Sequence, residues 1–260
     1  MTVSSDSVNM ALFCDFENVA LGVREAKYAQ FDMDKVLERL LLKGSIVVKK
    51  AYCDWERYKE FKPAMHAASF EMIEIPHLRQ SGKNSADIRM VVDALDLCYT
   101  KEHVDTFVIV SGDSDFSPLV SKLRENAKTV IGVGVKNSSS DLLINNCDEF
   151  IYYDDLVRQD EQKRRAAKKR REAAPAGEDK KQEAYDVVLE TLNALIAERG
   201  AEEKIWGSMV KQALKRRKPG FNESYYGFRA FSDLLEEMQQ KALIKLDPDE
   251  KSGGYLIRPA

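Results

Sequence analysis

The run Thr106-Phe107-Val108-Ile109-Val110-Ser111-Gly112-Asp113-Ser114-Asp115-Phe116 constrains the fold of this chain more than any other stretch. Four of the five residues from Phe107 to Ser111 are large and apolar, the composition of a strand buried on both faces of a parallel sheet. The strand stops abruptly at Ser-Gly-Asp-Ser-Asp, a turn with two carboxylates. Pro118 then stands near the start of an apolar-periodic segment (Leu119, Val120, Leu123) that predicts a helix. Strand, acidic turn and helix in that order put functional groups at the carboxyl edge of an α/β sheet. Asp113 and Asp115 equally suit a plain turn and helix-capping role.

A second strand ends the same way. Met10-Ala11-Leu12-Phe13-Cys14 runs into Asp15, and Asn18 follows three residues on. Two strands ending in acids predict neighbours that aim carboxylates at one spot. Like charges held close repel unless a cation offsets them. An all-oxygen ligand set favours a hard divalent ion, Mg²⁺ or Mn²⁺.

The remainder of the first part alternates strand and helix. Val36, Leu37, Leu40 and Leu41 predict a helix that Asp32 or Asp34 caps; Ser45 to Cys53 is a β-branched strand. Trp55, Tyr58, Phe61 and Met65 predict a further helix, and Glu71 to Ile75 a short strand closed by Pro76. Gln80 to Ser85 is a polar, Gly-containing loop whose Lys83 could grip a substrate phosphate. Asp87 lies just beyond it, in the first turn of a helix marked by Ile88, Val91, Val92, Leu95 and Cys98. An acid there is also favoured by the helix dipole alone. Asp93 and Asp96, further along, read as solvated, with Asp93 an additional candidate acid. Thr129 to Val135 and Glu149 to Tyr153 are two more strands, with a short helix after Asn137-Ser-Ser-Ser; Asp141 and Asp148 read as capping or turn residues. Such alternation predicts right-handed β-α-β units and an α/β fold with a parallel sheet between helices.

Several function classes lose support. Gly-x-Gly-x-x-Gly and P-loop patterns are absent, which argues against a nucleotide cofactor. Cys14, Cys53, Cys98 and Cys147 are scattered and His66, His77 and His103 stand far apart, so a zinc site is not expected. The cysteines fit the reduced thiols of a cytoplasmic protein, the N-terminus lacks a basic-then-apolar signal pattern, and no apolar run suits a membrane span.

Beyond residue 157 the composition changes. Residues 1–157 hold 18 Lys+Arg against 25 Asp+Glu, and residues 158–260 hold 22 against 18, a split of −7 and +4. The basic run from Lys163 to Arg171, followed by Ala-Ala-Pro-Ala-Gly, marks 157–182 as a linker: a solvated spacer or an auxiliary nucleic-acid contact. Three helices follow, marked by Tyr185 to Ile196, Trp206 to Leu214 and Tyr225 to Met238. A hairpin around Asp-Pro-Asp-Glu-Lys-Ser-Gly-Gly then completes a small winged-helix domain over 183–260. Lys215, Arg216, Arg217 and Lys218 close the second helix. They suit phosphate binding, though lysines there also complement the helix dipole.

The blocks CDFEN (14–18), KNSADI (83–88), VSGDSDF (110–116) and NCDEFIYYD (146–154) together resemble the NYN family, a branch of the PIN-like ribonucleases that includes LabA-like bacterial members; the resemblance covers residues 8–156. It implies a PIN-like parallel sheet and a metal site of Asp15, Asp87, Asp113 and Asp115, with Asn18 and Ser111 as its neighbours. KPGFNESYYGFRAFSDLLEEM (218–238) and the GGYLIR hairpin resemble the OST-HTH (LOTUS) domain, a family associated with RNA binding and, in some members, with protein partners. The expectation is a Mg²⁺- or Mn²⁺-dependent endoribonuclease with an RNA-binding module. An RNA-binding adaptor with an inactive nuclease domain, a small-molecule phosphatase, and DNA in place of RNA stay open at this point.

Overall fold

The computed structural model describes residues 8–75, 85–162, 179–200, 202–249 and 254–260. The chain divides into two compact units. In the first, the order is β1 (Asn9–Asp15), α1 (Phe16–Glu25), α2 (Met33–Lys43), β2 (Ser45–Cys53), α3 (Lys62–Ala67), β3 (Glu71–Glu74), α4 (Ser85–Thr100) and β4 (Thr106–Val110). Then come α5 (Ser117–Glu125), β5 (Thr129–Gly134), α6 (Asp141–Asn146), β6 (Glu149–Tyr152) and α7, helical over 153–162.

The six strands form one sheet in the order β3-β2-β1-β4-β5-β6, every pair parallel. Strand order reverses between β1 and β4. At such a switch point the connecting segments leave to opposite sides and open a crevice at the carboxyl ends of the strands. Both central strands are buried throughout their apolar runs, because helices cover both faces. Met10, Leu12, Cys14, Val108 and Val110 join one core, while Ala11, Phe13, Phe107 and Ile109 join the other. The predicted PIN-like α/β sandwich is the fold observed.

Three local readings change. No helix is expected between the first strand and Asp32, yet α1 begins at the residue after Asp15 and buries Phe16, Val19 and Val23. The helix expected over Trp55 to Met65 is instead a set of turns, a 3₁₀ segment at Lys59–Phe61 and the short α3. Pro63 sits in the first turn of α3, where it needs no N–H partner; further into a helix it would break the ladder. Asp93, read as solvated, is largely buried. Its carboxylate accepts from the Tyr52 hydroxyl at 2.8 Å and pairs with Arg89 at 3.0 Å and Lys50 at 3.5 Å.

The second unit contains α8 (Asp179–Arg199), α9 (Gly207–Arg217), α10 (Phe231–Gln240) and the antiparallel pair β7 (Ile244–Asp249) and β8 (Gly254–Pro259). Trp206 bridges Leu256, and the Ile257 N–H donates to Ile205 O at 2.8 Å, so the hairpin is tied to the approach to α9. Tyr185, Val188, Leu192, Val210, Leu234 and Met238 are among the residues of its core. This is the winged-helix arrangement. Tyr225 and Phe228 do not lie on the third helix as predicted: Glu223–Tyr226 is a 3₁₀ turn that Gly227 closes with φ 88, a conformation that resists continuation into a helix. Among the described residues no helix is long and apolar enough to cross a membrane.

Phe16 is fully buried and meets Trp55 and Phe61 at ring-centroid distances of 5.0 Å each, with Phe31 and Tyr58 slightly further out. Phe16→Ala is expected to cost about 3–5 kcal/mol in denaturant unfolding, since this cluster roofs the end of β1. A loss below about 1 kcal/mol would show that the cluster repacks without it.

Candidate active site

The parallel pairing of β1 with β4 places Cys14 opposite Val110, so Asp15 and Ser111 come next on adjacent strands. Their side chains meet: the Ser111 hydroxyl donates to Asp15 Oδ2 at 3.0 Å, and both residues are buried. The same Ser111 oxygen accepts the Asp113 N–H at 3.2 Å. Asp15 also caps α1, accepting the Asn18 N–H at 3.3 Å, while the Asn18 side-chain carbonyl accepts the Gly112 N–H at 2.9 Å. One network of hydrogen bonds therefore holds the ends of both strands. Ser111 and Asn18, expected at the site beside the acids, are the residues that join the two strand ends.

Asp113 turns out of the strand and accepts the Asp115 N–H at 3.0 Å, which caps the 3₁₀ turn leading into α5. The capping role considered from sequence is thus real, and it leaves the second carboxylate oxygen of Asp113 outside that bond. Asp113 is half-buried and Asp115 exposed. Asp87, in the first turn of α4, is half-buried as well. Gly112 explains why this turn is tight: a Cβ there would lie 2.3 Å from Ser138 O, and the Ser140 N–H donates to Gly112 O at 2.9 Å. The loop of serines at 138–140, expected only as a helix start, is the wall against which the acidic turn is pressed.

The acids sense one another. Burial, and then the charge of Asp87, push the Asp15 carboxyl up to about 7, against the opposing pull of the Asn18 N–H and the Ser111 hydroxyl; Asp113 adds to the rise. Burial and the charges of Asp113, Asp115 and Glu17 push Asp87 up to about 6. Glu17, an acid outside the expected set, stands within the same CDFEN run two residues past Asp15. It pairs with Arg57 at 3.3 Å. Cys14 and Cys53 are buried beside these carboxylates and held as thiols, so neither is a nucleophile.

A hard divalent cation suits this set. The donors are carboxylates and hydroxyls, and the mutual repulsion that adds to burial in raising Asp15 and Asp87 is what a dication would offset. Among the described residues, no three Asp, Glu, His or Cys side chains are drawn into a closed cation cage, so the acids share a field without converging on one point. Lys83 lies outside the described residues. In the second unit, Lys215 and Lys218 are exposed and Arg216 is half-buried. Arg217 departs from the expected phosphate-binding cluster: its side chain is 3% exposed and bonds Glu190 at 2.8 Å and the Thr191 hydroxyl at 3.2 Å. Its charge is consumed inside the domain.

The family model of the NYN domain matches residues 9–154, and that of the OST-HTH/LOTUS domain matches residues 185–251. The chain belongs to the NYN family and carries an OST-HTH/LOTUS domain after it, in the order its motifs predict. It is 30% identical over 125 residues to an uncharacterized protein of Methanocaldococcus jannaschii, a match covering 48% of this chain and 49% of that protein. The chain thus spans about half the length of the curated relative it matches. The crystal structure of a protein of unknown function from Vibrio parahaemolyticus is similar at 28% identity and a TM-score of 0.52, covering 59% of this chain and 97% of the other.

The raised acids give the metal-free protein a distinctive pH dependence. Asp15 and Asp87 bind protons in the folded state that an unfolded carboxyl, near 3.8, has already released. The stability these protons contribute is complete below 3.8 and is lost as pH rises through about 6 and about 7. In EDTA, Asp15→Asn should flatten that decline relative to wild type, and above pH 7 its thermal unfolding should begin at the higher temperature. Parallel stability-versus-pH curves for the two proteins would refute the buried, repelled state of Asp15.

Proposed function

We propose that this protein is a divalent-cation-dependent endoribonuclease, with Asp15, Asp87, Asp113 and Asp115 as its acidic centre and the C-terminal domain as its RNA-binding module. The observation that carries the reading is the delivery of Asp15 and Asp113 by adjacent parallel strands to the switch point of the sheet. Asp87, at the start of α4, lies close enough to perturb Asp15. A bound Mg²⁺ or Mn²⁺ would supply Lewis-acid polarisation of the scissile phosphate and activation of water.

The residues of the chain divide the remaining work. Ser111 and the Asn18 N–H each hold one oxygen of Asp15, which fixes the orientation of the most buried acid. Asp113 is aimed by the Ser111 and Asp115 contacts of its turn. Asp87 and Asp115 sit nearer solvent, where a phosphodiester enters. In the hydrolysis, water adds to phosphorus, the P–O ester bond breaks, and the leaving oxygen takes up a proton. An acid cluster open to solvent at the edge of a sheet accommodates a continuous strand on both sides of the cut, which favours internal cleavage.

An RNA-binding adaptor is the competing reading, and the absence of a closed acid cage among the described residues favours it. Cleavage of labelled single-stranded RNA in Mg²⁺, Mn²⁺ or EDTA separates the two. Asp113→Asn should leave the fold intact and lower the metal-supported rate at least about a hundredfold, a loss in the range seen when a single group stabilising transition-state charge is removed. Wild-type rates in the variant, or cleavage that ignores EDTA, would sink the assignment. Absence of cleavage with intact RNA binding would favour the adaptor.

A further inference from the structure

In a helix-turn-helix pair the second helix is the one that ordinarily lies against nucleic acid. Here that helix is α10, and its exposed side chains are Ser232, Asp233, Glu236, Gln239 and Gln240. Its sequence, FSDLLEEMQQ, contains no Lys or Arg. A polyanion is repelled by such a face, since affinity for phosphate rests on cationic side chains that release counterions.

The turn between α9 and α10 has the opposite chemistry. Lys215 and Lys218 are exposed at the end of α9, and the Phe221 N–H donates to Lys218 O at 2.9 Å. The Phe221 ring stacks on Tyr226 with centroids 5.2 Å apart, and Tyr226 meets Tyr225 edge-on at 5.0 Å. Tyr225 is 62% exposed, with Lys180 Nζ 5.0 Å from its ring centroid. The rings stand on a fixed base: Asn222 accepts the Ser224 N–H at 3.0 Å, and Gly227 closes the turn. Of the acids nearby, Glu223 is paired with Lys211 at 3.1 Å, and Glu183 lies on the Tyr226 side of the cluster.

We propose that the turn Phe221–Tyr226 is a base-stacking platform for single-stranded nucleic acid. Tyr225 takes an unstacked base on its exposed ring, backed by Tyr226 and Phe221, while Lys180, Lys215 and Lys218 meet the flanking phosphates. The inference rests on the ribonuclease reading above and names the form of its substrate: bases free to leave their own stack, with the strand crossing the turn and not the face of α10. Duplex RNA keeps its bases stacked and offers this ring nothing.

The test uses the full chain in EDTA, which prevents metal-supported cleavage. Fluorescence anisotropy follows its binding to labelled single-stranded RNA, single-stranded DNA of the same sequence, and duplex RNA. Tyr225→Ala should weaken single-strand binding about tenfold, and Tyr225→Phe should retain wild-type affinity, because stacking needs the ring and not the hydroxyl. Lys215→Ala combined with Lys218→Ala should make the log K against log salt slope shallower by about 1.4, at about 0.7 per phosphate contact. Equal losses on RNA and DNA identify a sugar-blind platform, and a larger loss on RNA adds a contact to the 2′-hydroxyl; both support the proposal. Single-strand binding that ignores Tyr225→Ala, or an equal loss on the duplex, overturns it while leaving the ribonuclease reading standing. A wild-type protein that binds none of the three in EDTA overturns the platform, and the ribonuclease reading then stands or falls on the cleavage assay above.

Discussion

The hydrogen bond from the Ser111 hydroxyl to Asp15 Oδ2 joins the ends of the two central strands, and the geometry of the acidic centre depends on it. Because β1 and β4 are parallel neighbours, their last residues emerge side by side at the switch point. Ser111 is fully buried there, so its hydroxyl must be satisfied internally, and it serves Asp15 and the Asp113 backbone at once. A serine suits this position because one oxygen both donates and accepts. Alanine would leave a buried carboxylate oxygen short of a donor.

Around that bond the molecule holds an electrostatic tension. Burying Asp15 disfavours its charged form, and the neighbouring carboxylates raise the cost further; two polar contacts only partly offset this. A cluster of this kind is poorly suited to stability for its own sake. A divalent cation beside these acids would offset the same repulsion. The aromatic group around Phe16 and the close approach of Ser138 to Gly112 hold the surrounding backbone while the acids oppose one another.

Charge is arranged differently in the C-terminal domain. Arg217 is drawn inward to Glu190 and Thr191, and the helix that would face a nucleic acid groove is acidic outside. Exposed lysines gather instead near the aromatic turn. The domain therefore presents cationic and aromatic surface in one place and acidic surface in another, an asymmetry that would orient a polyanion on the reading proposed above.

The elements that a sequence announces are those with a local cause. The strand at 106–110, its acidic turn, the partner strand ending at Asp15, and the order of the two domains were all legible, because apolar runs, Gly-Asp turns and motif spacing are properties of neighbouring residues. Pro63 and Gly227, which break the two over-long helices, were also visible as residues, but their effect depends on which side of each the tertiary core recruits. What only the tertiary structure decided is which side chains meet. Ser111 reaching Asp15 across 96 positions, Asn18 reaching Gly112 across 94, and Asp93 drawn to Tyr52 and away from solvent are consequences of strand order and packing. Arg217 is the sharpest case: in sequence it is one of four consecutive basic residues, yet helical rotation turns it inward to a carboxylate while Lys215 and Lys218 remain in water.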